Sequence, residues 1–372
     1  MKIGILTHPL GTNYGGILQN YALQVFLKTM GHDPITQNVY FGTPLRTKIF
    51  SFTYRLLKCI LGKRVPLKAW LSDNEYNLIS VNTNKFINQY IKTTNRIEIS
   101  SGNLFKDAAY DAIIVGSDQV WRGSDKNVVH YFLKDVKGDD VVRIAYAASF
   151  GVEEWEFSPK DTQICRNLVK KFRGISVREK SGVQLCSEYL SVASKCVLDP
   201  TLLLDKNHYD TLIPENSISD DAFMMEYILD KSPEKTEILK KLSEKLNIVI
   251  HSVMPKSYYS EVGSKAITDC IYPSVEEWLS GIKNSKFVVT DSFHGTVFSI
   301  IFHKPFVAIV NNKRGAARFH SLLSMLNLSE RLVNNLPDAL RLIDIPIDYN
   351  KVDRVIDGNR KISTDFLLSC LK

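Results

Sequence analysis

Four short clusters in the 372-residue chain bring together side chains that could bind or activate a small charged substrate. The fullest is Asp291-Ser292-Phe293-His294-Gly295-Thr296, set between an apolar run and an apolar helix expected to start near Gly295. A histidine in that turn can donate a proton or bind phosphate near neutral pH, and the amides of a helix start favour an anion. Lys313, Arg314 and Arg318 follow downstream and strengthen the expectation of an anionic ligand. In Ser117-Asp118-Gln119-Val120-Trp121, Asp118 could take a proton from a substrate hydroxyl and Trp121 could offer a stacking face to a sugar. Ser117 or Asp118 could equally cap a following helix. Arg178, closing the run 174–179, suits a carboxylate or phosphate, or a pair with Glu179 or another acid. Thr12-Asn13-Tyr14-Gly15-Gly16 is a turn whose glycines let backbone approach a ligand, although tight-turn glycines are also purely structural. It is not G-x-G-x-x-G, so no dinucleotide site is indicated. With no G-x-S-x-G elbow and no H-E-x-x-H spacing, neither a serine hydrolase nor a metal centre is expected.

Each cluster follows a short apolar run of the kind a parallel sheet covered on both faces requires. Strands are expected at 2–6, 112–117, 143–149, 174–179 and 195–200, with a first helix over 15–30 stopped by Gly31. Residues 205–221 are polar and aperiodic. The alternation then restarts with strands at 223–229, 247–253, 286–290 and 305–310 and helices at 233–246, 275–283 and from about 295. The expected fold is therefore α/β, with two Rossmann-like domains facing a cleft: 1–205, a linker at 206–221, and 222–372 with a terminal helix that returns to the first domain. Ligands of such sheets collect at the carboxyl ends of the strands.

Composition agrees with an ordinary globular protein, 44% hydrophobic and 23% charged. The most apolar stretch, 296–310, is broken by His303, Lys304 and Pro305 and is too short to span a bilayer. The N-terminus does not read as a secretory signal. Six scattered cysteines with no C-x-x-C pair suggest a reducing cytoplasm.

Charge is unevenly placed. Between Pro34 and Ser72 there is no acid, yet there are seven basic residues, as many as the whole formal excess of +7. Over 46–70, Ile49, Phe50, Phe52, Leu56, Leu57, Ile60 and Leu61 project to one half of a helix and Lys48, Arg55 and Lys58 to the other. Either the apolar half packs on the protein's own core, or it lies in the surface of an anionic membrane. No stacking pattern or recognition helix accompanies the patch, so nucleic acid is not expected.

The motifs N-Y-G-G-x-L-Q-x-Y-A-L (13–23), V-G-S-D-Q-V-W (115–121), S-V-R-E-x-S-G (176–182), L-D-P-T-L-L-L (198–204), T-D-S-F-H-G-T-V-F (290–298) and R-G-x-x-R-F-x-S-L-L (314–323) occur in this order. Together they resemble the polysaccharide pyruvyl transferase family over roughly residues 1–330. The resemblance implies a GT-B-like architecture and transfer of enolpyruvate from phosphoenolpyruvate to a sugar, forming a pyruvate ketal during capsule, exopolysaccharide or O-antigen assembly. It implies His294 as the active-site histidine, Arg178 as a phosphoenolpyruvate-binding arginine and Asp118 or Asp291 as base, with no further cofactor. Donor and acceptor sites would take Ser292, Gly295, Thr296, Lys313, Arg314, Arg318, Asn13, Tyr14, Gly15, Gly16, Ser117 and Trp121. The acceptor would ride on a polyprenyl lipid at the inner face of the cytoplasmic membrane, giving the basic segment 46–70 a peripheral role. Members of the family carry Arg-Leu-His where this chain has Ser292-Phe293-His294, leaving a cationic role to Arg314, Arg318 or Lys313. A sugar-nucleotide glycosyltransferase of the same architecture, and a non-catalytic sugar- or lipid-binding partner, are the alternatives.

Overall fold

The computed structural model of the chain describes residues 1–63, 65–106, 109–215 and 222–372. Arg64 of the basic segment and residues 216–221 of the expected linker lie outside the described residues.

Two wholly parallel sheets organise the chain. The first half contributes β1 (Lys2–Leu6), β2 (Asp33–Thr36), a separate pair β3 (Val39–Tyr40) and β4 (Ile97–Glu98), then β5 (Ala112–Val115), β6 (Val142–Ala148), β7 (Gly174–Val177) and β8 (Lys195–Cys196). Its main sheet runs β2-β1-β5-β6-β7-β8. The second half adds β9 (Phe223–Tyr227), β10 (Val249–Ser252), β11 (Phe287–Thr290), β12 (Phe306–Ile309) and β13 (Leu332–Val333), in the order β10-β9-β11-β12-β13. In both sheets the strand order reverses beside the first strand, between β1 and β5 and between β9 and β11. That crevice is where open α/β sheets take ligands.

Composition explains the strands. AIIV of β5, FVVT of β11 and FVAI of β12 are buried at every position, as strands covered on both faces must be. Pro34, which cannot donate to a ladder, sits in β2 at the sheet edge. Side-chain caps set helix starts: Ser232 ahead of Pro233–Leu246, and a reciprocal Ser274–Glu277 box ahead of Val275–Asn284.

The lobes share a core. Tyr14, Ile17 and Leu18 of the first helix (Tyr14–Thr29) cluster with Trp278, Phe293 and Val297 of the second lobe. The terminal helix Tyr349–Leu371 lays Phe366, Leu367 and Cys370 against Ile3, Ile5 and Ile144, while Val352 and Ile356 join the core that both lobes share. One helix departs from this economy. No residue of Leu45–Ile60 is buried, so its apolar half does not pack on the protein's own core. The seam turned inward, Lys48, Ser51, Arg55 and Lys58, is polar and only half-buried. Among the described residues, no helix is long and apolar enough to cross a membrane.

Candidate functional site

Residues that follow β1, β5, β9, β11 and β12 converge on one cleft of about 260 Å³. Of the residues singled out from sequence, Asn13, Asp118, Asp291, Ser292, His294, Arg314 and Arg318 line it.

On the second lobe, Ser292 caps the helix Phe293–Ile301, its hydroxyl accepting from the Gly295 amide at 3.4 Å. The cap starts the helix at Phe293, so His294 stands in its first turn and not in a turn before it. Among the described residues the Phe293 and His294 amides have no acceptor, which leaves them to an anion at the helix start. His294 Nε2 is buried without a hydrogen-bond partner and lies 3.5 Å from Asp199 Oδ2. Its Nδ1 presses on Gly15 of the other lobe, where a Cβ would come within 2.0 Å. Only glycine admits the imidazole there.

Two guanidiniums complete this wall. Arg318 is buried, its Nη1 3.6 Å from Asp118 Oδ1, its Nη2 donating to the Arg314 carbonyl and its Nε unpartnered. Burial and the neighbouring Arg178 lower it to about 10, so it is charged at neutral pH. Arg314, more exposed, donates from Nε to Asp230 at 2.6 Å. Phe293 lies under two cations, its ring centroid 4.6 Å from the Arg178 guanidinium and 5.4 Å from that of Arg318.

The first lobe answers with acids. Asp118, at φ 73° in the left-handed region, holds the Gln119 amide and the Arg178 guanidinium (3.3 Å) on Oδ1. Its Oδ2 has a single long bond from Asn13 at 3.4 Å. Burial alone would raise this carboxyl, but Arg178, His294, His8 and Arg318 outweigh it and hold Asp118 well below the usual carboxylate range. Asp199 behaves likewise: burial pushes up, while His294, Arg178 and Thr201 bring it far down. It accepts from Arg178 Nη1 at 2.6 Å and from the Thr201 amide and hydroxyl.

Several expected roles do not survive these placements. Arg178 sits behind the cleft wall, its side chain 2% exposed, neutralised by Asp199 and Asp118 and not by Glu179. Glu179 instead accepts from Ser149, Phe150 and Gly151. Trp121 offers no sugar face, being fully buried, stacked on Phe132, with its indole N–H given to the Tyr131 carbonyl. Neither Ser117 nor Asp118 caps a helix, since the next helical turn, Val128–Phe132, follows Asn127; Ser117 Oγ donates to Ala147 O. Tyr14 is a strut, stacked on Trp278 and donating to Pro273 O at 2.8 Å in the other lobe. Gly16 abuts the Asn13 side chain, Gly295 is pressed against Thr290 and Tyr227, and Thr296 is fully buried with its hydroxyl donating to the Ser292 carbonyl. Lys313 is exposed outside the cleft. Asp291 lines the cleft but accepts from four donors, the Leu229 amide on Oδ1 and the Asp230 amide, Lys235 and Asn311 on Oδ2.

Sequence reasoning missed Asp199, although it lies in a quoted motif, because a buried acid between a guanidinium and an imidazole has no one-dimensional signature. It also missed Tyr227, Tyr258 and Tyr272, the aromatic faces that line the cleft. Tyr258 and Tyr272 come from a stretch without any motif. Among the described residues no group of three or more His, Cys, Asp or Glu is placed to hold a metal ion.

A family model described as polysaccharide pyruvyl transferase matches residues 13–313. No curated protein matches the chain. Solved structures resemble it over its whole length at low identity. Arabidopsis thaliana UGT89C1 complexed with UDP-L-rhamnose superposes at a TM-score of 0.54 and 9% identity, over 99% of this chain and 98% of that one. A candidate UDP-N-acetylglucosamine 2-epimerase from Listeria monocytogenes gives 0.57 and 10%, over 99% and 95%. UDP-GlcNAc 2-epimerase from Neisseria meningitidis bound to UDP-GlcNAc gives 0.50 and 13%, over 99% and 100%. At these identities the likeness speaks for the fold, the GT-B pairing of two Rossmann-like lobes.

Proposed function

The chain belongs to the polysaccharide pyruvyl transferase family, and from that premise we propose that it moves enolpyruvate from phosphoenolpyruvate onto two hydroxyls of a sugar. The observation that carries this reading is the meeting of a capped helix start, His294, Arg314 and Arg318 with Asp118 in a single cleft. Phosphoenolpyruvate bears a phosphate and a carboxylate, and needs both cations and free amides.

In the proposed reaction a proton reaches the methylene carbon and leaves an oxocarbenium centre at the adjacent carbon. One sugar hydroxyl adds there and gives up its proton. The C–O bond to phosphate then breaks with its electron pair, and the second hydroxyl closes the ketal as its proton passes to phosphate. Two hydroxyl protons thus end on the new methyl group and on inorganic phosphate. His294 is the proposed proton donor or phosphate partner, oriented by Gly15 and Asp199. Asp118 is the proposed acceptor, because its Oδ2 carries only one long bond at 3.4 Å, whereas both oxygens of Asp291 are held by bonds of 2.6 Å. A carboxyl held so low is a poor base at rest. It faces a cationic centre, however, and a hydroxyl adding to such a centre becomes strongly acidic. Arg314 and Arg318 supply the charge that the Ser292-Phe293-His294 sequence lacks; Arg178 acts through Asp118 and Asp199.

The proposed acceptor is a polyprenyl-linked sugar of capsule, exopolysaccharide or O-antigen assembly, met at the inner membrane face with the acceptor on the first lobe and the donor on the second. Thermal shift tests the donor. Phosphoenolpyruvate at a hundredfold excess over its Kd should add about 2.7 kcal/mol of stability while UDP and UDP-sugars add none. The reverse result would make the protein a sugar-nucleotide glycosyltransferase. Stabilisation by acceptor sugar alone would favour a binding partner without catalysis.

A further inference from the structure

The helix Leu45–Ile60 is built inside out. Lys48, Ser51, Arg55, Lys58 and Cys59, spaced three, four, three and one apart, form the half-buried side against the protein. Arg55 Nη1 ties that side down by donating to the Pro66 and Ser260 carbonyls at 3.0 and 3.1 Å, and Cys59 Sγ donates to Val65 O. The outward side carries Leu45, Ile49, Phe50, Leu56, Leu57 and Ile60, followed by Leu61. Phe50 is 73% exposed and Leu61 78%. Single exposed apolar residues are ordinary, but a contiguous face of large ones on a whole helix is not.

We propose that this face docks the protein on the surface of an anionic bilayer, lying in the headgroup region parallel to the membrane. Charge selects the occupant. Residues 34–72 contain no acid, and among the described residues Arg46, Lys48, Arg55, Lys58 and Lys63 form no ion pair. The Lys58 ammonium lies 4.4 Å over the Tyr54 ring, a cation on an aromatic rim. A second copy brought face to face would set this uncompensated positive field against itself. An anionic lipid surface accepts both the apolar side chains and the cations around them.

The inward side of the same helix borders a route to the chemistry. Lys48 lines a groove of about 790 Å³ shared with Tyr40, Trp70, Tyr76 and Asn77 and reaching Leu10. Leu10 belongs to the loop that carries Asn13 into the cleft. If the proposed sugar transfer holds, on which this extension alone rests, a lipid-borne sugar entering from the bilayer would meet aromatic faces and an amide on its way inward.

Vesicle flotation of the full chain tests the docking without any turnover. Wild-type protein should float with vesicles of equal phosphatidylglycerol and phosphatidylcholine, stay behind with phosphatidylcholine alone, and be released by salt. The triple variant Phe50→Ser, Leu57→Ser, Leu61→Ser should lose at least about tenfold in binding. Its melting temperature and its response to phosphoenolpyruvate should not change, because none of the three is buried. Charge reversal by Arg46→Glu, Lys58→Glu and Lys63→Glu should abolish the preference for anionic vesicles. The proposal is overturned if wild-type protein ignores both vesicle types or binds both equally. It is also overturned if light scattering shows a dimer that the serine variant dissociates. Failure of phosphoenolpyruvate to bind would leave the docking result standing, so the two readings fail separately.

Discussion

Asp118 and Asp291 hold matching positions in the two lobes, each just beyond the strand that borders the reversal of strand order. Both line the cleft, yet they do different work. Asp291 spends its oxygens on two amides, Lys235 and Asn311 and thereby fixes the loop that presents Ser292 and His294. Asp118 keeps Oδ2 almost free, held ionised by cations around it. The same residue type at the same topological place is a strut in one lobe and, in the proposed reaction, the working group in the other. Counting donors around each carboxylate, not its position in the fold, separates the two.

The largest expected consequence falls on Asp118. Asp118→Asn should lower phosphate release from phosphoenolpyruvate plus acceptor by about 10²–10⁴-fold, measured at saturating substrates on protein verified as folded by circular dichroism. An unchanged rate would dissolve the contrast. Asp291→Ala should act chiefly on stability. It strands a Lys235 ammonium paired at 2.6 Å with a fully buried carboxylate, at a cost of about 3–5 kcal/mol in urea unfolding.

Asp199 and Asp118 sharpen the comparison through pH. Both titrate lower in the folded chain than at their ordinary value of 3.8, so the stability they add is full above that pH and is lost as pH falls through their folded values. Asp199→Asn should therefore flatten the stability profile below about pH 4 and lower its neutral plateau. A profile parallel to wild type would contradict the assigned pairing with Arg178 and His294.

A smaller effect is expected within the cation set. Arg318→Gln should raise KM for phosphoenolpyruvate about tenfold or more, the scale of one charge-assisted hydrogen bond of roughly 1.5–3 kcal/mol. Lys313→Gln, at an exposed residue outside the cleft, should leave KM and kcat unchanged.

Much of the fold was legible, because apolar runs and caps are local signals. The strand at 2–6 and the helix Pro233–Leu246 were placed to the residue, and three of the four strand-end clusters fall at one cleft, the one carrying Arg178 lying behind its wall. The remainder depended on three-dimensional bookkeeping. Trp121 reads as a sugar platform until Phe132 is stacked on it. Arg178 reads as a ligand-binding arginine until Asp199, remote in sequence from Asp118, closes on its other side. Helical periodicity identified the two faces of Leu45–Ile60 but carries no sign, so it could not say which would turn inward.

The central claim is tested most directly by incubating the protein with phosphoenolpyruvate and a panel of lipid-linked or aryl-tagged hexosides, with mass spectrometry and phosphate release read together. Wild-type protein should yield a pyruvate ketal and stoichiometric phosphate, and His294→Ala should yield neither. Equal turnover by the His294 variant, or consumption of a UDP-sugar in place of phosphoenolpyruvate, would contradict the account.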